Sequence, residues 1–185
     1  MVDQERLEFR RNQVSKRMPD RAVIKARALE REEIPSGEIW RAADALYKSA
    51  KWDDKPSFLL SGLKGIGKTT ALTAIGCREI MRGRDVRYLP ITRLSRIIKS
   101  HADEKPQMSD LENCDLLLLD ELHRFADLPA WIRSEGVALI DHRYGHLRQT
   151  GAAGTLPETG LGNVLGWEIM ERFDILITSE EGSYR

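Results

Sequence analysis

The chain has 185 residues, and its 29 Lys plus Arg balance 29 Asp plus Glu, so the formal net charge is zero. That length bounds it to one domain with room for a short appendage, and the neutral balance excludes a strongly basic DNA-coating protein while leaving room for a local basic patch. With 41% hydrophobic and 31% charged residues, the composition is too apolar for disorder and too polar for a membrane protein. The longest purely apolar run, Leu116 to Leu119, is far short of a bilayer span. The first thirty residues are charged throughout, so no signal peptide is expected, and Cys77 and Cys114 lack metal-ligand spacing and suit a reducing cytoplasm as buried thiols.

Residues 1–34 are polar and helix-prone, with Pro19 separating two helical stretches. Their apolar residues are sparse, so this arm is expected to bury little by itself, and it reads equally well as a solvated arm or as a docking segment that orders on a partner. Pro35-Ser36-Gly37 is a break, with Ser36 able to cap a helix over 37–51. The rest, 35–185, is read as one domain in which strands and helices alternate. Ser57–Ser61 reads as a strand, Lys68–Arg82 as a helix ended by Gly83, Val86–Pro90 as a strand and Ile91–His101 as a helix. Residues 102–114 read as a polar loop, Asp115–Asp120 as a buried strand, and Pro129–Tyr144 as a helix. Gln149–Thr155 is a strand of small residues, Leu161–Glu171 a helix and Phe173–Thr178 the last strand. This alternation implies an α/β fold: a five-stranded parallel sheet with helices on both faces.

Residues 62–69, Gly-Leu-Lys-Gly-Ile-Gly-Lys-Thr, match G-x-x-x-x-G-K-[ST] between an apolar strand and a helix. The glycines let backbone amides turn inward around phosphate, and the following helix points its positive end at the same anion. Gly62, Leu63, Lys64, Gly65, Ile66, Gly67, Lys68, Thr69 and Thr70 are therefore candidate ATP-binding residues. Lys68 would bridge the β- and γ-phosphates, and Thr69 would ligate Mg²⁺.

Asp120 and Glu121 end the third strand, and ligands of parallel sheets gather at that edge. Asp120 is the candidate to hold Mg²⁺ through water, and Glu121 the candidate to deprotonate an attacking water. A complete strand, Val86–Pro90, lies in sequence between the phosphate loop and the acids, as in P-loop ATPases that use an acidic base. Asp141-His142-Arg143-Tyr144 only faintly resembles a nucleotide-kinase D-R motif, because His142 interrupts it, which leaves a small-molecule kinase as a minor alternative.

These motifs, in this order, resemble the DnaC/IstB-type AAA+ ATPases, the helicase-loader group. The resemblance covers about residues 55–185 and rests on SGLKGIGKTT as Walker A, DLLLLDEL as Walker B, Ile140–Tyr144 as the Arg-Tyr helix end, GAAGTLP at the sensor strand, GWEIMERF around an arginine finger and the terminal GSYR. It implies a P-loop NTPase fold of the AAA+ ASCE type with a reduced or absent C-terminal lid. It implies catalytic roles for Thr155 at the first sensor position, Arg172 as the finger and Arg185 as a second sensor. Two departures stand out: Thr155 occupies a position where the family carries asparagine, and Arg185 is the last residue of the sequence, so its own carboxylate is expected to offset part of its charge. A plain alternative for Arg172 is a surface pair with Glu168 or Glu171.

The resemblance further implies ATP and Mg²⁺ as cofactors, single-stranded DNA and a DnaB-type hexameric replicative helicase as partners, self-association into a ring or spiral, and a cytoplasmic location, in a bacterium or in the host of a phage. Arg93, Arg96 and Lys99, at three-residue spacing, form a row able to track phosphates or simply a solvated helix face. Residues 1–34 are the candidate helicase-docking segment. The competing functions are an IstB-like transposition helper, which would bind duplex DNA and a transposase, and a non-hydrolysing adaptor switched by ATP. Trp40, Trp131 and Trp167 are expected to pack on helices, and Trp52 to shield the sheet near adenine. His123, His142 and His146 lack a metal-like set.

Overall fold

The computed structural model describes residues 2–33, 37–99, 108–155 and 158–179. Five strands, β1 (Phe58–Gly62), β2 (Val86–Pro90), β3 (Leu116–Asp120), β4 (Gln149–Gly154) and β5 (Ile175–Ser179), form one sheet in the order β2-β3-β4-β1-β5. Every pairing is parallel. Although β2 lies between the two motifs in sequence, β4 is the strand that separates them in space. It can fit there because it is small. A Cβ on Gly151 would come within 2.4 Å of the Phe58 ring, so the glycine leaves room for that ring.

Helices cover both faces, and two apolar clusters lie on opposite sides of the sheet. One face carries α1 (Val2–Arg17), α2 (Asp20–Glu30), α3 (Glu38–Lys48) and α4 (Lys68–Arg82). The other carries α5 (Leu94–Lys99), α6 (Met108–Asn113), α7 (Ala130–Gly145), α8 (Glu158–Leu165) and α9 (Trp167–Met170). Among the described residues, no helix is long and apolar enough to cross a membrane.

The arm does not match the expectation that it buries little. Pro19 does separate α1 from α2, but Val14, Met18, Ala22, Val23 and Ala26 are all buried in the cluster that includes α4 or against it. The sulfur end of Met18 lies where a Cβ on Gly76 would be, so the glycine in α4 provides its seat. Burying Val14, Met18 and Val23 stabilises this contact by about 1.5–3 kcal/mol each. Polar clamps hold the rest: Arg10 donates to the Met81 carbonyl at 2.6 Å, Arg17 pairs with Asp85, and Arg78 bridges Glu30 and Asp44. Leu7, Phe9 and Ile24 remain exposed.

Four other expectations are corrected. The polar segment 102–114 contains α6, whose Leu111 is buried; residues 101–107 lie outside the described set. The helix expected over Leu161–Glu171 is two, broken at Gly166 with φ +88°. The helix expected over Ile91–His101 opens with a 3₁₀ turn, Ile91–Arg93, before α5. Trp52 stands away from the phosphate loop: it packs on Tyr47 and Phe58 and donates to Glu79 at the far end of α4, about 16 Å along the helix from Lys68. Of the other tryptophans, Trp40 is buried while Trp131 and Trp167 are half exposed, and Cys114 is buried while Cys77 is partly so.

Candidate functional site

The carboxyl edge of the sheet gathers both motifs. β1 ends at Gly62, whose φ of +141° and distance of 2.4 Å from a would-be Cβ to the Ser179 carbonyl leave no place for a side chain. The loop closes through Gly67, at φ +94°, and α4 starts at Lys68. The backbone thus turns from strand to helix as phosphate binding requires, with the helix amino terminus at the loop.

Lys68 is only 7% exposed, and its ammonium donates to the carbonyls of Gly62 at 2.9 Å and Leu63 at 2.6 Å. Burial pulls its pKa down to about 8, against the opposing pull of the Asp120 charge. A buried cation held mainly by carbonyls is a receptor for an anion: phosphate oxygens would restore the charge balance that burial removes.

Asp120 is buried, and its carboxylate is held at both oxygens. Oδ2 accepts from the Thr69 hydroxyl at 2.8 Å and from the Tyr88 hydroxyl at 2.5 Å, while Oδ1 accepts from the Glu121 backbone N–H at 2.8 Å. Burial, with the Asp120 charge adding to it, pushes the Tyr88 phenol well above its ordinary value, so it remains a donor. A hydroxyl and a carboxylate this close, next to a phosphate loop, fit a hard divalent cation that keeps most of its waters. Thr69 and Asp120 would hold Mg²⁺.

Glu121 follows with φ +58°, a strained conformation for a side-chain-bearing residue and one that recurs at functional sites. This turn starts the 3₁₀ segment Leu122–Asp127 and leaves Glu121 lining a cleft of about 810 Å³ with Thr69, Tyr88 and Asp120. Lys16, Arg17, Arg93 and Arg96 line the same cleft, so the arm supplies part of its wall. Lys99 lies further along, with its ammonium 5.8 Å from the Trp131 ring.

The structure brings Lys68, Thr69, Asp120 and Glu121 together. Thr155 follows β4, and its backbone N–H donates to His123 Nδ1 at 3.2 Å, which ties the end of β4 to the turn after the acids. Burial lowers the His123 pKa. Arg172 stands apart: it donates to Asp141 at 2.9 Å and lies 4.7 Å from the Tyr144 ring, so its pair is neither Glu168 nor Glu171. Arg185 lies outside the described residues.

Sequence reasoning missed Tyr88 and His123, which no motif marks. It also gave Arg143 no fixed role. That side chain is fully buried and donates to the carbonyls of Leu111, Glu112, Cys114 and Gln149 and to the Thr150 hydroxyl, so it staples α6 to β4.

No family model matches the sequence. The replicative helicase loader DnaC of Buchnera aphidicola subsp. Baizongia pistaciae is 30% identical over 142 residues, covering 70% of this chain and 56% of that protein. Among solved structures, a DnaC helicase loader superposes with a TM-score of 0.61 at 19% identity, over 75% of this chain and 86% of that one. A replication initiator DnaA, bound to AMPPCP and single-stranded DNA, gives 0.66 at 23% identity, over 82% and 49%. The chain has the AAA+ P-loop fold. It is similar in sequence to the DnaC-type helicase loaders. It spans about half the length of the curated relatives it matches.

Proposed function

We propose that this protein is an ATP-dependent helicase loader that binds single-stranded DNA and delivers a hexameric replicative helicase during DNA replication. The observation that carries the reading is the convergence of Thr69, Asp120 and Glu121 on one cleft, with the buried Lys68 ammonium on the adjoining loop carbonyls, in a chain similar to replicative helicase loaders.

In this reading the loop amides from Gly62 to Thr70 and the Lys68 ammonium grip the phosphates. Mg²⁺, when bound, neutralises charge on the β- and γ-oxygens. Glu121 takes a proton from the attacking water, and its strained turn points it into the cleft without help from a partner. Arg172, paired with Asp141 on α7, serves the ATP of a neighbouring subunit in a ring or spiral, where such a finger contributes roughly 10³–10⁵ in rate. To do so it exchanges Asp141 for phosphate. Thr155, held near His123, and Arg185 complete the set as sensors. Arg93, Arg96 and Lys99 contact DNA phosphates, and residues 1–34 dock the helicase. The location is cytoplasmic.

Mixing tests the assembly. Arg172→Ala and Lys68→Ala proteins, each inactive alone, should regain partial ATPase together; no recovery at any ratio refutes a finger acting between subunits. Affinity capture with ATP present should recover a replicative helicase. Recovery of a transposase instead would favour the transposition helper, and an absence of turnover with or without DNA would favour the adaptor.

A further inference from the structure

We propose that Tyr88 is a positioning residue for the metal-holding carboxylate, and that its hydroxyl sets the affinity of the Thr69–Asp120 pair for Mg²⁺. The inference rests on the nucleotide-site reading above.

Tyr88 belongs to β2, a strand that carries neither motif. In the β2–β3 register Tyr88 lies opposite Leu118, and Asp120 lies opposite Pro90. Tyr88 and Asp120 are therefore diagonal neighbours on one face of the sheet, at a separation a tyrosine can bridge. The bridge is made at 2.5 Å, on the same Oδ2 that accepts from Thr69. The opposite oxygen is fixed by the Glu121 N–H.

Remove the Tyr88 hydroxyl, and one side chain, Thr69, is left to orient Oδ2. Thr69 must also offer its oxygen to the cation. With Tyr88 in place the carboxylate orientation does not depend on Thr69, so a hydrated cation meets an acceptor already aimed. Groups that orient a metal-holding side chain in this way change metal affinity by about 10- to 100-fold when mutated. Tyr88 acts through Asp120.

The test is Tyr88→Phe, which keeps the ring and its packing. Binding of a fluorescent ATP analogue is titrated with Mg²⁺ and repeated in EDTA, with thermal unfolding measured alongside. The Mg²⁺ midpoint should rise about 10- to 100-fold, while nucleotide affinity in EDTA and the melting temperature stay near wild type. An unmoved midpoint overturns the proposal, as does a lowered melting temperature with an unmoved midpoint. A double-mutant cycle gives a second check: in an Asp120→Asn background, Tyr88→Phe should add nothing to the midpoint, and a full additive shift would show that Tyr88 does not act through Asp120. Wild-type protein with no Mg²⁺-dependent binding would instead sink the nucleotide-site reading itself.

Discussion

At the carboxyl edge of the sheet, Lys68 is buried with two carbonyls accepting from it. At the amino edge, Glu79 is buried more deeply, yet Tyr47, Trp52, Arg82 and Arg84 all donate to it. Both groups sit on α4, separated by three turns of the same helix. Glu79 has its counter-charges built in, through ion pairs with Arg82 and Arg84, and serves as a structural pin. Lys68 lacks an adjacent carboxylate among its described hydrogen-bond partners and is poised for an anion. The degree to which a buried charge is satisfied within the chain thus separates the scaffold from the site.

The comparison can be broken most sharply at the site end. Glu121→Gln should cut ATP turnover by about 10²–10⁴-fold while leaving nucleotide binding intact, as steady-state rates and equilibrium titration would show; retained turnover would remove Glu121 as the base. At the scaffold end, Glu79→Ala takes the shared acceptor from Tyr47 and Trp52 and leaves Arg84 with only neutral partners, Gln149 and the Asp115 carbonyl; it should cost about 3–5 kcal/mol of stability in denaturant unfolding, with little effect on nucleotide affinity in whatever protein stays folded. A cost below about 1 kcal/mol would show that the cluster is less coupled than its geometry indicates.

The smallest effect is that of pH. Free Lys68 gives up its proton near pH 8, below the ordinary lysine value, and bound phosphate favours the charged form and raises that pKa. Binding therefore takes up a proton above pH 8. Affinity should be full below that point and fall by up to about tenfold per pH unit as pH rises beyond it. A flat profile from pH 7 to 9.5 would mean that Lys68 stays charged in the empty site.

Much of this was legible in the sequence because it is local. The phosphate loop and the acidic strand end are contiguous stretches whose residue types follow from phosphate and metal chemistry. All five strands appear within a residue or two of their expected bounds, even β4, whose small residues give little apolar signal. What stayed hidden depends on register and crossover. Tyr88 matters because of which residue it faces across two strands, and Arg143 because α7 runs back over α6. The helix α6 is too short and polar to announce itself; buried Leu111 and the Arg143 guanidinium hold it in place. The docking of the arm was unreadable for a related reason: its few apolar residues look sparse until Gly76 supplies a socket for Met18.

That socket also ties two surfaces of the molecule together. Exposed Phe9 stands about 12 Å along α1 from Arg17, and the break between α1 and α2 rests on the Met18–Gly76 contact. Residues Ser15–Asp20 beside that contact line the cleft into which Glu121 opens. Whatever binds exposed Phe9 therefore grips a helix that Arg10 and Val14 fasten to α4 and whose far end walls the cleft of Glu121.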